Sequence, residues 1–162
     1  MKKEDLTFRQ ATVKDVGQML NLVNRNASKG VMLPKSKGQI LDLLTNFSVA
    51  VRGEKVVATC GFKIWMDESA EIISLATLKR FQGQGVGTKL IQENIERCKN
   101  LGIKRFFAMT VAPKVFTRIN FKVVHYNRLS FKVWMDCSNC PRNAAGPGDK
   151  KCNEQAVELL LD

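Results

Sequence analysis

Residues 71–102 read EIISLATLKRFQGQGVGTKLIQENIERCKNLG. The stretch passes from an apolar strand through a short basic turn and a glycine cluster into an amphipathic helix. The strand, over 71–78, is apolar on both faces, as the centre of a sheet requires. Val86, Leu90, Ile91, Ile95 and Cys98 then recur at three- and four-residue spacing, which predicts a helix to about Leu101 with Gly102 as its C-cap. Gly83, Gly85 and Gly87 fall where strand becomes helix. Glycine lets backbone N–H groups approach a ligand closely, and a helix N-terminus favours anions. A plain tight turn is the alternative, but three glycines there would weaken a helix start without gain. The ligand expected at this turn therefore bears phosphate.

Working outward, 6–10 reads as an opening strand. Thr12 is placed to N-cap a helix over 14–27 that puts Val16, Met19, Leu20 and Val23 on one face. Pro34-Lys35-Ser36 opens a second helix carrying Ile40, Leu41 and Leu44. Strands over 47–51 and 56–64 form a hairpin about Arg52-Gly53-Glu54, and Asp67-Glu68-Ser69 makes the next turn. Beyond the glycine helix, 105–110 is a strand, and the strand–helix–strand order implies a parallel pair. A short helix over 113–119 follows, then a closing antiparallel pair over 121–124 and 129–134. Residues 143–151 have loop composition, and 154–161 suits a last short helix. The order predicts an α/β fold with a mixed central sheet, antiparallel strands first and helices flanking. We expect one domain over 1–136 and a cysteine-containing tail over 137–162.

The chain has 162 residues and a formal net charge of +11, enough length for one packed core. No apolar run approaches the roughly 18 residues of a membrane-spanning helix, and MKKEDLTFRQ lacks the apolar segment of a signal peptide. A cytoplasmic protein without membrane partners is the expectation. The charge suits an acidic partner, but Lys and Arg occur as scattered pairs rather than as a run. That distribution fits a soluble basic surface or an anionic small ligand better than nucleic acid. Five cysteines without a secretory signal argue against a disulfide framework. Cys60, within a strand, and Cys98, on the apolar side of a helix, are expected in the core.

Three glycine-turn chemistries compete for the phosphate. A P-loop needs G-x-x-x-x-G-K-[ST], which is absent. A dinucleotide turn needs G-x-G-x-x-G and usually opens its domain, whereas this G-x-G-x-G follows several strands. The acyl-CoA turn, Q/R-x-x-G-x-G/A, is satisfied by Gln82-Gly83-Gln84-Gly85-Val86-Gly87. With this turn in the middle of this strand order, residues 6–134 resemble the GNAT superfamily of acyl-CoA-dependent N-acyltransferases. Within it the chain looks most like the acetyltransferase domain of N-acetylglutamate synthases. The supporting segments are Phe8-Arg9-Gln10-Ala11-Thr12 with Asp15, Val31-Met32-Leu33-Pro34-Lys35-Ser36, Glu71-Ile72-Ile73-Ser74-Leu75-Ala76, Phe107-Ala108-Met109-Thr110, and residues 115–121. Lys132-Val133-Trp134-Met135-Asp136-Cys137 with Cys140-Pro141 resembles short, single-domain relatives.

The resemblance implies acetyl-CoA as cosubstrate and a central parallel pair that splays apart. Leu75, Ala76, Thr77 and Leu78 would pair with the pantetheine arm, and backbone N–H groups from Gln84 to Thr88 (with Val86 and Gly87 between) would hold the pyrophosphate. An N–H near Leu75 or Ala76 would polarise the thioester carbonyl. Glu71 would serve as base for the attacking amine through a water, with Glu68 as alternate; a surface glutamate is the competing reading. Many relatives carry a tyrosine acid in the short helix after the fifth strand. Phe116 stands there instead, and Asn120 replaces a common glycine. Tyr126, near a predicted turn, is no substitute, so solvent would protonate the leaving thiolate and Phe116 would pack against pantetheine. For a glutamate acceptor, Lys35 and Lys132 match the basic positions facing the amino acid, with Arg9, Arg25 and Arg128 as further candidates; solvated surface charges are the alternative. The resemblance leaves a homodimer open.

In the tail, Cys137-x-x-Cys140-Pro141 has the spacing of a metal knuckle, with Cys152 as a third thiolate. A structural zinc ion would need a fourth ligand, and His125 is the sole histidine. Free thiols or a non-functional tail are the competing readings. The function expected is acetyl-CoA-dependent N-acetylation of L-glutamate in arginine biosynthesis. Another small amine, a protein amine, or a degenerate acyl-CoA-binding module remain as alternatives.

Overall fold

The computed structural model describes residues 5–140 and 152–162. Its centre is a seven-stranded sheet, assembled in the order β1-β2-β3-β4-β5-β7-β6. The first four strands are β1 (Thr7–Gln10), β2 (Ser48–Arg52), β3 (Lys55–Ile64) and β4 (Ser69–Thr77), each antiparallel to the one before it. The two-residue turn Gly53-Glu54 closes the β2–β3 hairpin, with Gly53 in the left-handed region that such turns require. β5 (Arg105–Thr110) lies parallel to β4, reached through helix α3 (Val86–Lys99) as the strand–helix–strand order predicts.

Side-chain alternation along β2 divides the core into two layers. Ala50 packs beneath α3 with Leu90, Ile91, Phe62 and Phe106, whereas Val49 and Val51 face Val16, Met19 and Ile40. The latter come from α1 (Val16–Ala27) and α2 (Lys37–Asp42) on the opposite face. Thr12 precedes a single 3-10 turn that leads into α1; its N–H donates to Asp15 Oδ2 at 2.7 Å. Ser36 caps α2, accepting from Gln39 N–H while Gln39 Oε1 accepts from Ser36 N–H.

β3 and β4 do not pair evenly. Thr59 faces Ala76 and Gly61 faces Ile73, so Cys60 alone stands opposite Ser74 and Leu75. This is a β-bulge. The Cys60 carbonyl accepts from Asn94 Nδ2 on α3 at 3.1 Å, and Asn94 Oδ1 accepts from Ser48 at 2.8 Å. A fully buried asparagine thus ties helix to sheet beside the bulge.

The C-terminal part departs from the sequence reading. After α4 (Pro113–Thr117) comes β6 (Lys122–Val124), but the expected partner over 129–134 is not a strand. Residues Ser130–Met135 form a helical turn, α5, closed by Asp136 N–H to Lys132 C=O. The expected last helix over 154–161 is instead strand β7 (Gln155–Leu160), inserted between β5 and β6 and antiparallel to both. Short apolar runs fit both periods, and the open edge of β5 decides the matter. Ala156, Val157 and Glu158 are buried there. The expected boundary at 136/137 therefore does not mark the end of the sheet. Pro141–Lys151, including the expected loop over 143–151, lie outside the described residues. Among the described residues no helix is long and apolar enough to cross a membrane.

Candidate active site

β4 and β5 are paired only from Ser69 to Glu71 opposite Arg105 to Phe107. Beyond that point the strands part, giving the splayed pair expected from the sequence. A cleft of about 450 Å³ opens from the fork. Leu75, Ala76 and Thr77 line one wall, Met109, Thr110 and Phe116 the other, and the glycine turn closes one end. Of the expected cosubstrate residues, Gln84 and Leu78 are not on the cleft wall, whereas Gln82, Gly83, Gly85, Val86, Gly87 and Thr88 are.

The turn is built as its spacing requires. Gly83 and Gly85 have φ of 74° and 79°, the left-handed region that favours glycine. Gly85 is the N-cap of α3. The first bond into the helix is Lys89 N–H to Gly85 C=O, so the preceding N–H groups lead the helix without intrahelical partners. The glutamine side chains brace the loop: Gln82 Nε2 donates to Thr77 C=O at 3.0 Å and Gln84 Nε2 to Arg80 C=O at 2.7 Å. What the turn offers a ligand is backbone N–H and the positive end of a 14-residue helix. A Cβ at Gly87 would lie 3.4 Å from Leu75 Cδ1, so a side chain there would crowd the wall formed by β4. Arg118, which the sequence reading passed over, also lines the cleft. Phe116 is buried and packs edge-on against Phe121 at 5.3 Å while contributing to the cleft wall.

Glu71 occupies the last paired position of β4, opposite Phe107. Ile72 packs under α3 and Ile73 toward α1 and α2, so Glu71 lies on the α1–α2 face. Its buried carboxylate accepts from Trp65 Nε1 at 3.1 Å and pairs with Lys132 Nζ at 2.8 Å. Lys132, on α5, pairs also with Asp136 at 2.7 Å, one helical turn away. Burial alone would lower the Lys132 ammonium, but the carboxylates of Glu71 and Asp136 outweigh it and hold the group above the ordinary lysine range. Lys63 stacks on the Trp65 ring at 3.9 Å.

Lys35 completes the group. Asn24 of α1 clamps its backbone, donating to Lys35 C=O at 3.0 Å and accepting from Lys35 N–H at 2.9 Å. The half-buried ammonium forms no hydrogen bond or ion pair with a described residue, yet it feels the charges of Lys132, Glu71, Asp136 and Lys63. Burial, and then Lys132, push it below the ordinary lysine range. Three lysines thus surround two carboxylates, leaving one uncompensated positive charge.

The structure brings Lys35, Glu71 and Lys132 together from segments far apart in sequence. Arg25 is exposed on α1, and the remaining candidates lie elsewhere. Arg9 pairs with Asp15 at 2.7 Å, and Arg128 pairs with Glu158 at 2.9 Å in a network that includes Arg105 and Asp67. Glu68 sits in the β3–β4 turn with φ of 62°, and the Tyr126 ring stacks on His125 at 4.3 Å. Trp65 and Asp136 were missed by the sequence reading. The i, i+4 spacing of Lys132 and Asp136 is a signal only if the segment is helical, and it had been read as a strand.

Cys137, Cys140 and Cys152 are half-buried. Among the described residues no group of three His, Cys, Asp or Glu side chains is placed to hold a metal ion, so the zinc expectation finds no support. Cys60 and Cys98 are core thiols, raised by burial to about 12 and about 11.

Comparison with known proteins agrees with this geometry. A Chlorobaculum tepidum protein described as an uncharacterized N-acetyltransferase is 28% identical over 161 residues, 99% of this chain and 100% of that protein. The amino-acid acetyltransferase of Aeromonas salmonicida is 27% identical over 103 residues, which is 63% of this chain but 23% of the relative. The chain thus spans about a quarter of the length of that enzyme. N-acetylglutamate synthase from Neisseria gonorrhoeae, complexed with coenzyme A and N-acetyl-glutamate, superposes with a TM-score of 0.82 at 19% identity, covering 99% of this chain and 36% of that one. A Mycobacterium tuberculosis protein in complex with CoA gives 0.78 at 20% identity over 96% of this chain and 99% of its own. The model of the Acetyltransferase (GNAT) family matches residues 32–121, more than half of the chain and the whole span from Lys35 through the glycine turn to Phe121. With a forked central pair, a glycine-built helix start and this match together, the chain belongs to the GNAT family and is an N-acetyltransferase.

Proposed function

We propose that the protein transfers the acetyl group of acetyl-CoA to the amino group of an acidic amino acid, L-glutamate first among them, as in the opening step of arginine biosynthesis in the cytoplasm. The observation that carries this reading is Lys35: a half-buried cation without a partner among the described residues, beside a Glu71–Lys132–Asp136 cluster, with one positive charge left over. An incoming carboxylate would relieve the cost of burying that charge. An ammonium has three N–H donors, and Lys132 uses two on Glu71 and Asp136. The third could hold a second carboxylate.

The family resemblance supports placing the acyl-CoA in the forked cleft, with pantetheine along Leu75–Thr77 and the pyrophosphate on the N–H groups between Gln84 and Thr88. The amine nitrogen attacks the thioester carbonyl carbon, forming the C–N bond. Glu71 takes the amine's proton through a water as the oxyanion forms. Collapse breaks the C–S bond, and solvent protonates the thiolate, because Phe116 cannot.

Thiol release from acetyl-CoA with a panel of amines tests the reading. Glutamate is expected to exceed glutamine in kcat/KM by about tenfold or more, because a hydrogen bond to a charged group contributes about 1.5–3 kcal/mol. A preference for spermidine or a lysine peptide would sink the acidic acceptor. Thermal stabilisation by acetyl-CoA without turnover of any amine would mark a binding module.

A further inference from the structure

Among the described residues, Ser74 Oγ is the one buried side-chain polar atom without a hydrogen-bond partner. The other buried polar side chains in the sheet are bonded: Ser48 to Asn94, Thr59 to Ser48 C=O, Ser69 to Asp67. An unpartnered hydroxyl in a core costs free energy, so its retention calls for a reason. Ser74 is unusual in a second respect. Its φ is 51°, in the left-handed region, and the other non-glycine residues with positive φ, Glu68 and Asn120, lie in connecting turns. Among the described non-glycine residues, Ser74 alone holds that conformation inside a strand. Strain of this kind persists where the surrounding structure imposes it, and it clusters at sites of function.

The place of the residue gives the reason. Ser74 is one of the two bulge residues opposite Cys60, where the β3–β4 ladder is interrupted. It also lines the forked cleft. It stands three residues beyond Glu71, about 10 Å along the strand at the usual rise. That span accommodates a glutamate side chain, one water and an amine between the base and the carbonyl it attacks.

We propose that Ser74 is a catalytic residue whose buried hydroxyl turns about χ1 toward the cleft and donates a hydrogen bond to the acetyl carbonyl oxygen, alongside the backbone N–H near Leu75. No proton is transferred. As the amine's C–N bond forms, charge moves onto that oxygen, and the Ser74 O–H strengthens its bond to it; when the C–S bond breaks, the carbonyl is restored. A hydroxyl left without a protein partner carries no bond that must be broken first. The proposal rests on acetyl transfer as the reaction.

The test uses the full chain with Ser74→Ala and Ser74→Gly. The alanine variant removes the hydroxyl and keeps the backbone conformation, and the glycine variant also relieves the φ. Both are expected to lose about 10- to 100-fold in kcat with the acetyl-CoA dissociation constant unchanged within about twofold, and neither should lower Tm. With acetyl-CoA labelled with carbon-13 at the carbonyl, the bound thioester C=O stretch should move to higher frequency in both variants, whether or not an acceptor is present. Active variants with wild-type kcat and an unmoved stretch would overturn the proposal, as would a loss of kcat accompanied by lost acetyl-CoA binding or a fall in Tm. If wild-type protein acetylates no amine, the underlying reaction fails and the proposal with it; wild-type turnover with unaffected variants removes the Ser74 role alone.

Discussion

Replacing Lys132 by methionine is expected to reach both stability and specificity. The Lys132 side chain is 15% exposed and that of Glu71 is 6% exposed, with 2.8 Å between charged atoms. Removing the ammonium leaves the Glu71 carboxylate buried, with the Trp65 indole as its remaining donor among the described residues. Breaking one side of a buried pair costs about 3–5 kcal/mol. Asp136, 41% exposed, loses little because water takes over. Lys35 is close enough to feel Glu71 and offsets part of the loss, which places the expected cost near 3 kcal/mol at the low end of that range. For a chain of this size that corresponds to a Tm lower by about 6–12 °C. Adding Glu71→Gln removes the stranded charge, so the double variant should recover at least half of the loss, with a coupling of about 2 kcal/mol in a urea-denaturation cycle. Because the folded-state pKa of Lys132 lies above its unfolded value of 10.5, the pair's contribution is complete below that pH and is lost only as pH rises through the folded value. In turnover, Lys132→Met should raise the glutamate KM far more than the acetyl-CoA KM. A cost under about 1 kcal/mol without coupling would show that the pair behaves as a solvated surface contact, and equal KM effects would separate it from the acceptor.

Two further outcomes follow from charges and thiols away from the fork. The Arg9 guanidinium holds the Asp15 carboxyl down at about 2, so this pair's stabilisation, about 1–2 kcal/mol after screening, is present above the unfolded value of 3.8 and lost as pH falls toward 2; Arg9→Ala should flatten the acid limb of Tm against pH between those values, and an unchanged limb would refute the assignment. Cys60 and Cys98 are fully buried and hold their thiols protonated, so a native thiol titration should label at most Cys137, Cys140 and Cys152, with all five reacting in denaturant; rapid native labelling of a fourth thiol would contradict the packing.

Much of the site's frame was legible in the chain. The spacing of Gly83, Gly85 and Gly87 followed by Val86, Leu90 and Ile91 located the turn and the helix because both are local: left-handed φ at Gly83 and Gly85 and a 3.6-residue apolar period do not depend on distant contacts. The parallel pair followed from strand–helix–strand order and the strong handedness of such crossovers. The acceptor cluster was legible only in part. Glu71, Lys35 and Lys132 could be named from the resemblance, but Trp65 and Asp136 could not, because one is brought in across a turn and the other through a helix read as a strand. The reversal of 130–135 and 155–160 has a single cause. Each run carries apolar residues compatible with either period, and the choice belongs to the exposed edge of β5, which takes β7; β7 then occupies the side of β6 that faces the sheet, in place of 130–135.

Elements with short-range signals are legible in the chain alone: the hairpin, the glycine turn, the amphipathic α3 and the crossover that sets β5 beside β4. Long-range packing settles which strand fills the sheet beyond β5, which charges meet at Glu71, and that a bulge opposite Cys60 makes Ser74 a strained residue lining the cleft, with a buried and unpartnered hydroxyl. Those outcomes depend on burial and on register between segments distant in the chain, and neither is encoded in any one of them.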